Sequence, residues 1–280
     1  MCSPVSAATR RRIAERRVAE RTTAARRNLV LLAFLAALAL LWQAVWSTGL
    51  LPPYSLPAPA QVAVRLAEMV RDGSLLPSVQ ASVVRMVLGF LFSAALGLGL
   101  GVAMGVSETV DSCLRSLFLG MQTLPSAAWV PIALLLFGLG DAAIYFVIVM
   151  ASMAAMAIAT ADGIATIPPN YVRAARSLGT SGLALSTRVA LPAALPHVIT
   201  GIKLGWTLGW HGVVSAELIK SSIGLGFLLN AGRELNDAAQ VVGIMLVTIA
   251  IGLLLDRLLF AVVERRIRVR WGLVAESARG

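Results

Sequence analysis

Residues 79–106 read VQASVVRMVLGFLFSAALGLGLGVAMGV, and Arg85 is the only charged side chain in the run. A stretch this long far exceeds the roughly 9–11 residues of a membrane-spanning barrel strand, and its apolar residues do not alternate strictly. It is therefore read as an α-helix long enough to cross a bilayer. A second run, Leu29 to Trp46 (LVLLAFLAALALLWQAVW), reads the same way. The whole chain agrees: 58% of its 280 residues are hydrophobic, 14% are charged, and the mean hydropathy is +0.82. A soluble domain carries about 25% charged residues. Inside a bilayer, backbone groups must be bonded internally, which leaves helices or closed barrels. The sequence predicts an all-α membrane protein.

Six spans fit, at approximately 29–47, 79–106, 112–138, 142–166, 193–218 and 239–262. They divide the chain into a basic segment 1–28, a transmembrane domain 29–263 and a basic tail 264–280. The basic start is long for a signal peptide and no A-x-A cleavage site follows it, so the first span is read as uncleaved. Pro125 and Pro131 predict a kinked or interrupted third span. Gly97 and Gly101 form a G-x-x-x-G, read as packing within one bundle.

Arginine and lysine set the orientation. Residues 1–28 hold eight, 107–116 one, 168–190 three and 257–280 six, which makes 18 on one side. Segments 48–78 and 211–239 hold two each on the other side. The positive-inside rule then places both termini in the cytoplasm. Because the net charge of +10 is distributed among loops and tails, with no aromatic-interleaved basic surface, it does not indicate nucleic acid. Cys2 and Cys113 are read as free thiols.

Two outer segments are expected to carry short helices. The first covers Gln61 to Arg71, with Val62, Leu66, Met69 and Val70 on one face. The second is a short helix or re-entrant scoop between Ser222 and Asp237.

The cytoplasmic loop 168–192 reads PPNYVRAARSLGTSGLALSTRVALP. Pro169 suits the first turn of a helix and Gly179 supplies a stop. Tyr171, Ala174, Ala175 and Leu178 fall at i, i+3, i+4 and i+7, making one smooth face away from Arg173 and Arg176. A second short helix is expected after Gly182. An amphipathic helix here either rests on lipid headgroups or fits a groove in a partner protein. The small alanine pair favours close docking.

The loop resembles the EAA loop of bacterial ABC importer permeases, whose pattern is E-A-A-x3-G-x9-I-x-L-P. The matching residues are Arg173-Ala174-Ala175, Gly179, Val189, Leu191 and Pro192, with every spacing intact. Arg173 departs from the pattern, which has an acid there. Resemblance extends over roughly residues 50–272 to the branch that imports nitrate, sulfonates, taurine or bicarbonate. It is carried by Leu56-Pro57-Ala58-Pro59, Thr123-Leu124-Pro125, Trp129-Val130-Pro131, Phe137-Gly138-Leu139-Gly140, Ala216-Glu217 and Gly224-Leu225-Gly226. Related members import heterocyclic vitamin precursors.

The resemblance implies a type I ABC importer permease fold in the bacterial inner membrane. It also implies a coupling helix that docks on an ATPase subunit in two copies, with Tyr171, Arg173, Ala174, Ala175, Leu178, Gly179, Leu191 and Pro192 as the coupling residues. ATP and Mg would be bound by that partner. A second permease copy, forming a homodimer, and an extracytoplasmic solute-binding protein complete the expected assembly.

The chain itself has no G-x-x-x-x-G-K-[ST], no H-E-x-x-H and no G-x-S-x-G, so neither ATP hydrolysis nor other catalysis is expected from it, and no metal site. Ionisable and polar groups within spans are functional hypotheses by default. Lys203 either lines an anion path or snorkels. Arg85 divides the same way. Gln122, Thr123 and Ser126, beside the proline, either offer donors to a passing oxyanion or satisfy backbone that the proline frees. For His211 and Glu217, packing or a local ion pair is expected. An ion-coupled secondary transporter would need paired intramembrane carboxylates, in which the spans are poor.

Overall fold

The computed structural model describes residues 26, 29–49, 52, 55–179, 191–219 and 223–270. Every regular element among them is helical. In chain order these are α1 (Leu29–Ser47), α2 (Pro59–Arg71), α3 (Leu75–Val106), α4 (Glu108–Thr123), a 3₁₀ turn (Ser126–Trp129), α5 (Val130–Phe137), α6 (Asp141–Ala165), α7 (Pro169–Ser177), α8 (Leu191–Glu217), α9 (Leu225–Glu234) and α10 (Ala238–Arg270). The chain divides into two compact units, Met1–Val64 and Arg65–Gly280.

In the first unit, α1 keeps its apolar side chains exposed along its length, as a helix facing lipid does. Trp42 Nε1 donates to the Pro57 carbonyl at 3.0 Å, tying α1 to the Leu56-Pro57-Ala58-Pro59 turn. α2 then starts with Pro59 as its first residue, and the Gln61 side chain accepts from Ala58 N at 2.9 Å. Both devices satisfy or dispense with N–H groups that a helix start leaves unpaired.

The second unit is built around α6. Small residues let its neighbours come close. On α3, a Cβ added at Gly97 would lie 2.9 Å from the Met153 carbonyl oxygen, and one at Gly101 would lie 2.5 Å from Thr160 Cβ. The G-x-x-x-G is thus a packing seam inside one bundle, as read. α8 presents a second such seam: added Cβ atoms at Gly201 and Gly205 would fall 2.4 Å from Ala159 and 2.7 Å from Met156. Buried Ala154, Ala155, Ala157 and Ala161 complete the tight interior of α6. Without a hydrophobic driving force between helices in lipid, such close backbone approach is what holds them together. Ser93 and Ser152 hydroxyls meet at 2.7 Å across the α3–α6 contact, satisfying two buried polar groups.

Among the described residues four helices are long and apolar enough to cross a membrane: α1, α3, α6 and the Ala238–Leu258 part of α10. The expected third span is broken, since α4 and the segment Ser126–Phe137 meet at 104° around Pro125; counting that pair as one span makes five. α8 is absent from this set, although the sequence reading makes it the fifth span. Its prolines, glycines, Lys203, His197 and His211 lower its hydropathy below that of its neighbours.

Both outer helices form. In α2, Met69 is buried and Leu66 packs against the main apolar cluster, whereas Val70 of the expected face is exposed. α9 accounts for the scoop.

Candidate functional site

Two polar clusters lie in the second unit, one buried and one lining an open recess, both involving α8. The first centres on Glu217, which is 1% exposed. Its Oε1 accepts from Arg85 Nη1 at 2.8 Å, and its Oε2 accepts from Ser82 Oγ at 2.6 Å and from Gly226 N at 3.1 Å. Ser82 Oγ accepts in turn from Leu225 N at 2.8 Å. Arg85 also donates to the Ile223 carbonyl, and its Nε to Asp141 Oδ1 at 3.2 Å. The start of α9 therefore aims the Gly226 N–H at a buried carboxylate and the Leu225 N–H at the serine that donates to it, where helix termini favour negative charge.

Gly224 makes this approach possible. Its φ is +148°, and an added Cβ would sit 2.4 Å from the Glu217 carboxyl carbon. Two neighbouring sequence motifs, Ala216-Glu217 and Gly224-Leu225-Gly226, thus meet Ser82 and Arg85 of distant α3 at one charge. The expected local ion pair for Glu217 is present, and Arg85 is part of it.

The second cluster lines a recess of about 470 Å³ where α4 breaks. The break contributes Gln122, Thr123 and Ser126; Met150 of α6 and Leu204, Leu208 and His211 of α8 close the other sides. Thr123 Oγ1 donates to the Gly120 carbonyl at 2.7 Å, which is the backbone-satisfying alternative. Ser126 Oγ lies 3.1 Å from Ser215 Oγ. The side chains of Gln122 and His211 have no hydrogen-bond partner among the described residues, and both are exposed to the recess opening. The structure brings together three of the four pathway residues expected from sequence.

The fourth, Lys203, is elsewhere. Its Nζ lies 3.5 Å from Asp256 Oδ2 of α10, outside the recess lining. Asp256 Oδ1 is buried without a partner. Sequence reasoning missed this pairing because Lys203 and Asp256 sit on different helices with no motif linking them. It also missed Arg115 of α4, which donates from Nη1 to Asp162 of α6 at 2.8 Å and from Nη2 to Asp111 at 2.9 Å. The i,i+4 spacing of Asp111 and Arg115 was the available signal.

α7 forms where expected. Leu178 N donates to the Ala174 carbonyl at 3.1 Å, and Gly179 ends the helix at φ +81°. Arg173 Nη2 donates to Asn170 Oδ1 at 3.1 Å. The expected smooth face splits: Leu178 is 85% exposed and Ala174 is exposed, while Ala175 is only 8% exposed and turns into the chain. Pro192 is exposed in the first turn of α8, which Leu191 opens. The Tyr171 and Leu191 side chains, Val189 and the second helix expected after Gly182 lie outside the described residues.

Among the described residues no group of three His, Cys, Asp or Glu side chains could hold a metal ion. Cys113 is an exposed free thiol.

Comparison with known proteins decides the family. Residues 95–269 match the model of the binding-protein-dependent transport system inner membrane component. The chain belongs to that family. The permease is 33% identical to the taurine transport system permease protein of Escherichia coli over 221 residues, 77% of this chain and 80% of the relative. It is 32% identical to the nitrate import permease protein of Leptolyngbya laminosa over 194 residues, 69% and 70% of the two chains. Against the bicarbonate transport system permease protein of Synechococcus elongatus the figures are 34% over 187 residues, 66% and 67%. It is a multi-pass inner-membrane permease of the ABC importer class, a transport component.

Proposed function

We propose that this permease forms the translocation pathway of an importer driven by separate ATPase subunits. A type I assembly with six spans per copy and both termini in the cytoplasm accounts for the arginine distribution, with α4–α5 as one broken span and α8 crossing as a glycine-seamed partner of α6. Two copies make the pathway, two ATPase subunits bind ATP and Mg and dock on residues 169–183 of each copy, and an extracytoplasmic binding protein delivers the solute. Closure of the ATPase pair would drive the coupling helices and turn the pathway outward; hydrolysis would reset it.

The observation that carries this reading is α7. It presents Ala174 and Leu178 to solvent at the end of a helix stopped by Gly179, in register with the EAA pattern. A headgroup-resting helix would offer bulkier apolar groups on a broad face. The relatives, by their names, transport taurine, nitrate and bicarbonate, which supports a small anion as solute.

The test is co-purification of the tagged permease with a candidate ATPase subunit, comparing wild type with Leu178→Asp and Ala174→Glu. Both changes are on exposed positions, so the permease should stay folded while ATPase recovery falls at least tenfold, about 1.4 kcal/mol or more. Recovery that ignores both changes would remove α7 as the docking element.

A further inference from the structure

Resting on the permease reading, we propose that Asp256 of α10 changes partner during transport, from Lys203 to Trp206 of α8. The carboxylate and the indole are two halves of a hydrogen bond that this conformation leaves unmade.

Among the described residues, two buried side-chain atoms lack a hydrogen-bond partner: Trp206 Nε1 and Asp256 Oδ1. They are chemically complementary, since the indole N–H only donates and the carboxylate only accepts. Trp206 is 4% exposed. An unmet buried donor or acceptor is costly, so each is stabilised by any state that pairs it.

Register places both groups in one seam. A Cβ added at Gly252 of α10 would lie 3.2 Å from Trp210 Nε1, and the Trp206 and Phe260 rings stand 6.0 Å apart between centroids. Residue numbers fall along α8 as they rise along α10, so the two helices run antiparallel. Asp256 is one turn from Gly252 and one turn from Phe260, between the α10 positions that meet Trp210 and Trp206. Its other oxygen, Oδ2, is 3.5 Å from Lys203 Nζ. A charge-assisted bond is about 2.7–2.9 Å long. Asp256 is therefore held loosely by Lys203, with its free oxygen in the seam that contains Trp206.

The seam has the means to move. Beside Trp206, the notches at Gly205 and Gly209 of α8 are filled by the side-chain ends of Met156 and Met86. The notches at Gly97 and Gly101 of α3 meet the backbone of Met153 and Ala157 instead. Methionine ends adapt to a shifted neighbour, and backbone does not. α3 and α6 thus hold together as one body, against which α8 can turn. α8 is also the next described helix after α7, the proposed ATPase-docking element. An ammonium is a stronger partner for a carboxylate than an indole is. The Lys203 pair is therefore the resting state, and the Trp206 bond is made when ATPase engagement moves α8.

The experiment follows the Trp206 indole N–H by proton–nitrogen NMR of the full-length permease in lipid nanodiscs. Its cross-peak is identified by its loss in Trp206→Phe, which keeps a ring against Phe90 and Phe260. In Lys203→Met the carboxylate has Trp206 as its remaining partner, which replaces the lost donor though not the lost charge. The cross-peak should then shift downfield, to the hydrogen-bonded position. Lys203→Gln, which is gentler on folding, should shift it the same way. Adding Asp256→Leu to either variant should return it to the wild-type position. A candidate ATPase with a non-hydrolysable ATP analogue should shift the wild-type peak as Lys203→Met does. A peak that stays in place in both Lys203 variants would overturn the proposal. So would a wild-type peak already at the hydrogen-bonded position, because the pair would then be static. An ATPase that binds without shifting the peak would overturn the partner exchange as well. Failure of any ATPase to bind wild type would instead count against the permease assembly, and the Lys203 variants would still judge the Trp206–Asp256 bond.

Discussion

Glu217 and His211 are six residues apart on the same helix, yet their surroundings are opposite. Around Glu217 every charge and donor has a partner: Ser82, Arg85 and the start of α9 all converge on one carboxylate. Around His211 the helix neighbour across the gap is broken, and donors face open space. Polar groups at membrane depth are costly in both places. In the first they are offset by one another and make the bundle rigid. In the second they are left without partners among the described residues, as groups lining the proposed pathway would be. Satisfaction, more than polarity, separates structure from function here.

The largest effect that could break this comparison is on stability. Glu217→Ala would leave the Arg85 guanidinium buried without its main counter-charge, a loss of about 3–5 kcal/mol in comparable buried pairs. Glu217→Gln keeps an acceptor for Ser82 and Gly226 and should lose less. Gln122→Ala, with no bond to lose, should stay within about 0.5 kcal/mol of wild type. Thermal unfolding of the detergent-purified permease, followed by retention of a monodisperse peak, orders the three. Equal losses for Glu217→Ala and Gln122→Ala would mean the recess is as structural as the knot.

How much of this was legible in the sequence follows the same division. The positions of the long helices came from hydropathy, and the break came from Pro125, because both are properties of a continuous stretch. Helix α7 came from local spacing and its glycine stop. Ala175 turning inward did not, because a nine-residue helix exposes whichever face its neighbours leave, and sequence periodicity cannot name the neighbours. The Glu217 knot joins residues more than 130 positions apart, so only the expectation of some local ion pair was available. Sequence leaves Lys203 between path and snorkel because its partner, Asp256, sits on a different helix. The seam on α8 was present in the sequence as Gly201, Gly205, Gly209 and Gly212, a four- and three-residue rhythm as clear as the one on α3.

The seam on α3 gives a prediction of intermediate size. Gly101→Val would force a side chain into Thr160 and the Ala157 backbone, while Gly99 on the same helix has nothing within 4 Å of an added Cβ. Overpacking costs about 1–3 kcal/mol, so Gly101→Val should lower the unfolding midpoint clearly and Gly99→Val should not. If both are neutral, α3 and α6 are not held by close approach.

The smallest effect concerns a pair that belongs wholly to neither cluster. Lys203 and Asp256 are partly exposed, and ion pairs of that kind contribute about 0–1 kcal/mol. Asp256 nevertheless has one oxygen buried without a bond, so it resembles the Glu217 knot with a partner missing. Lys203→Met should therefore destabilise by more than Asp256→Asn, since it strands the carboxylate, and the double variant should recover much of the difference. A double-mutant cycle on the unfolding midpoint reads this coupling directly. Additive losses would place Lys203 with the open, unpaired groups, and it would then have to be tested for solute binding beside Gln122 and His211.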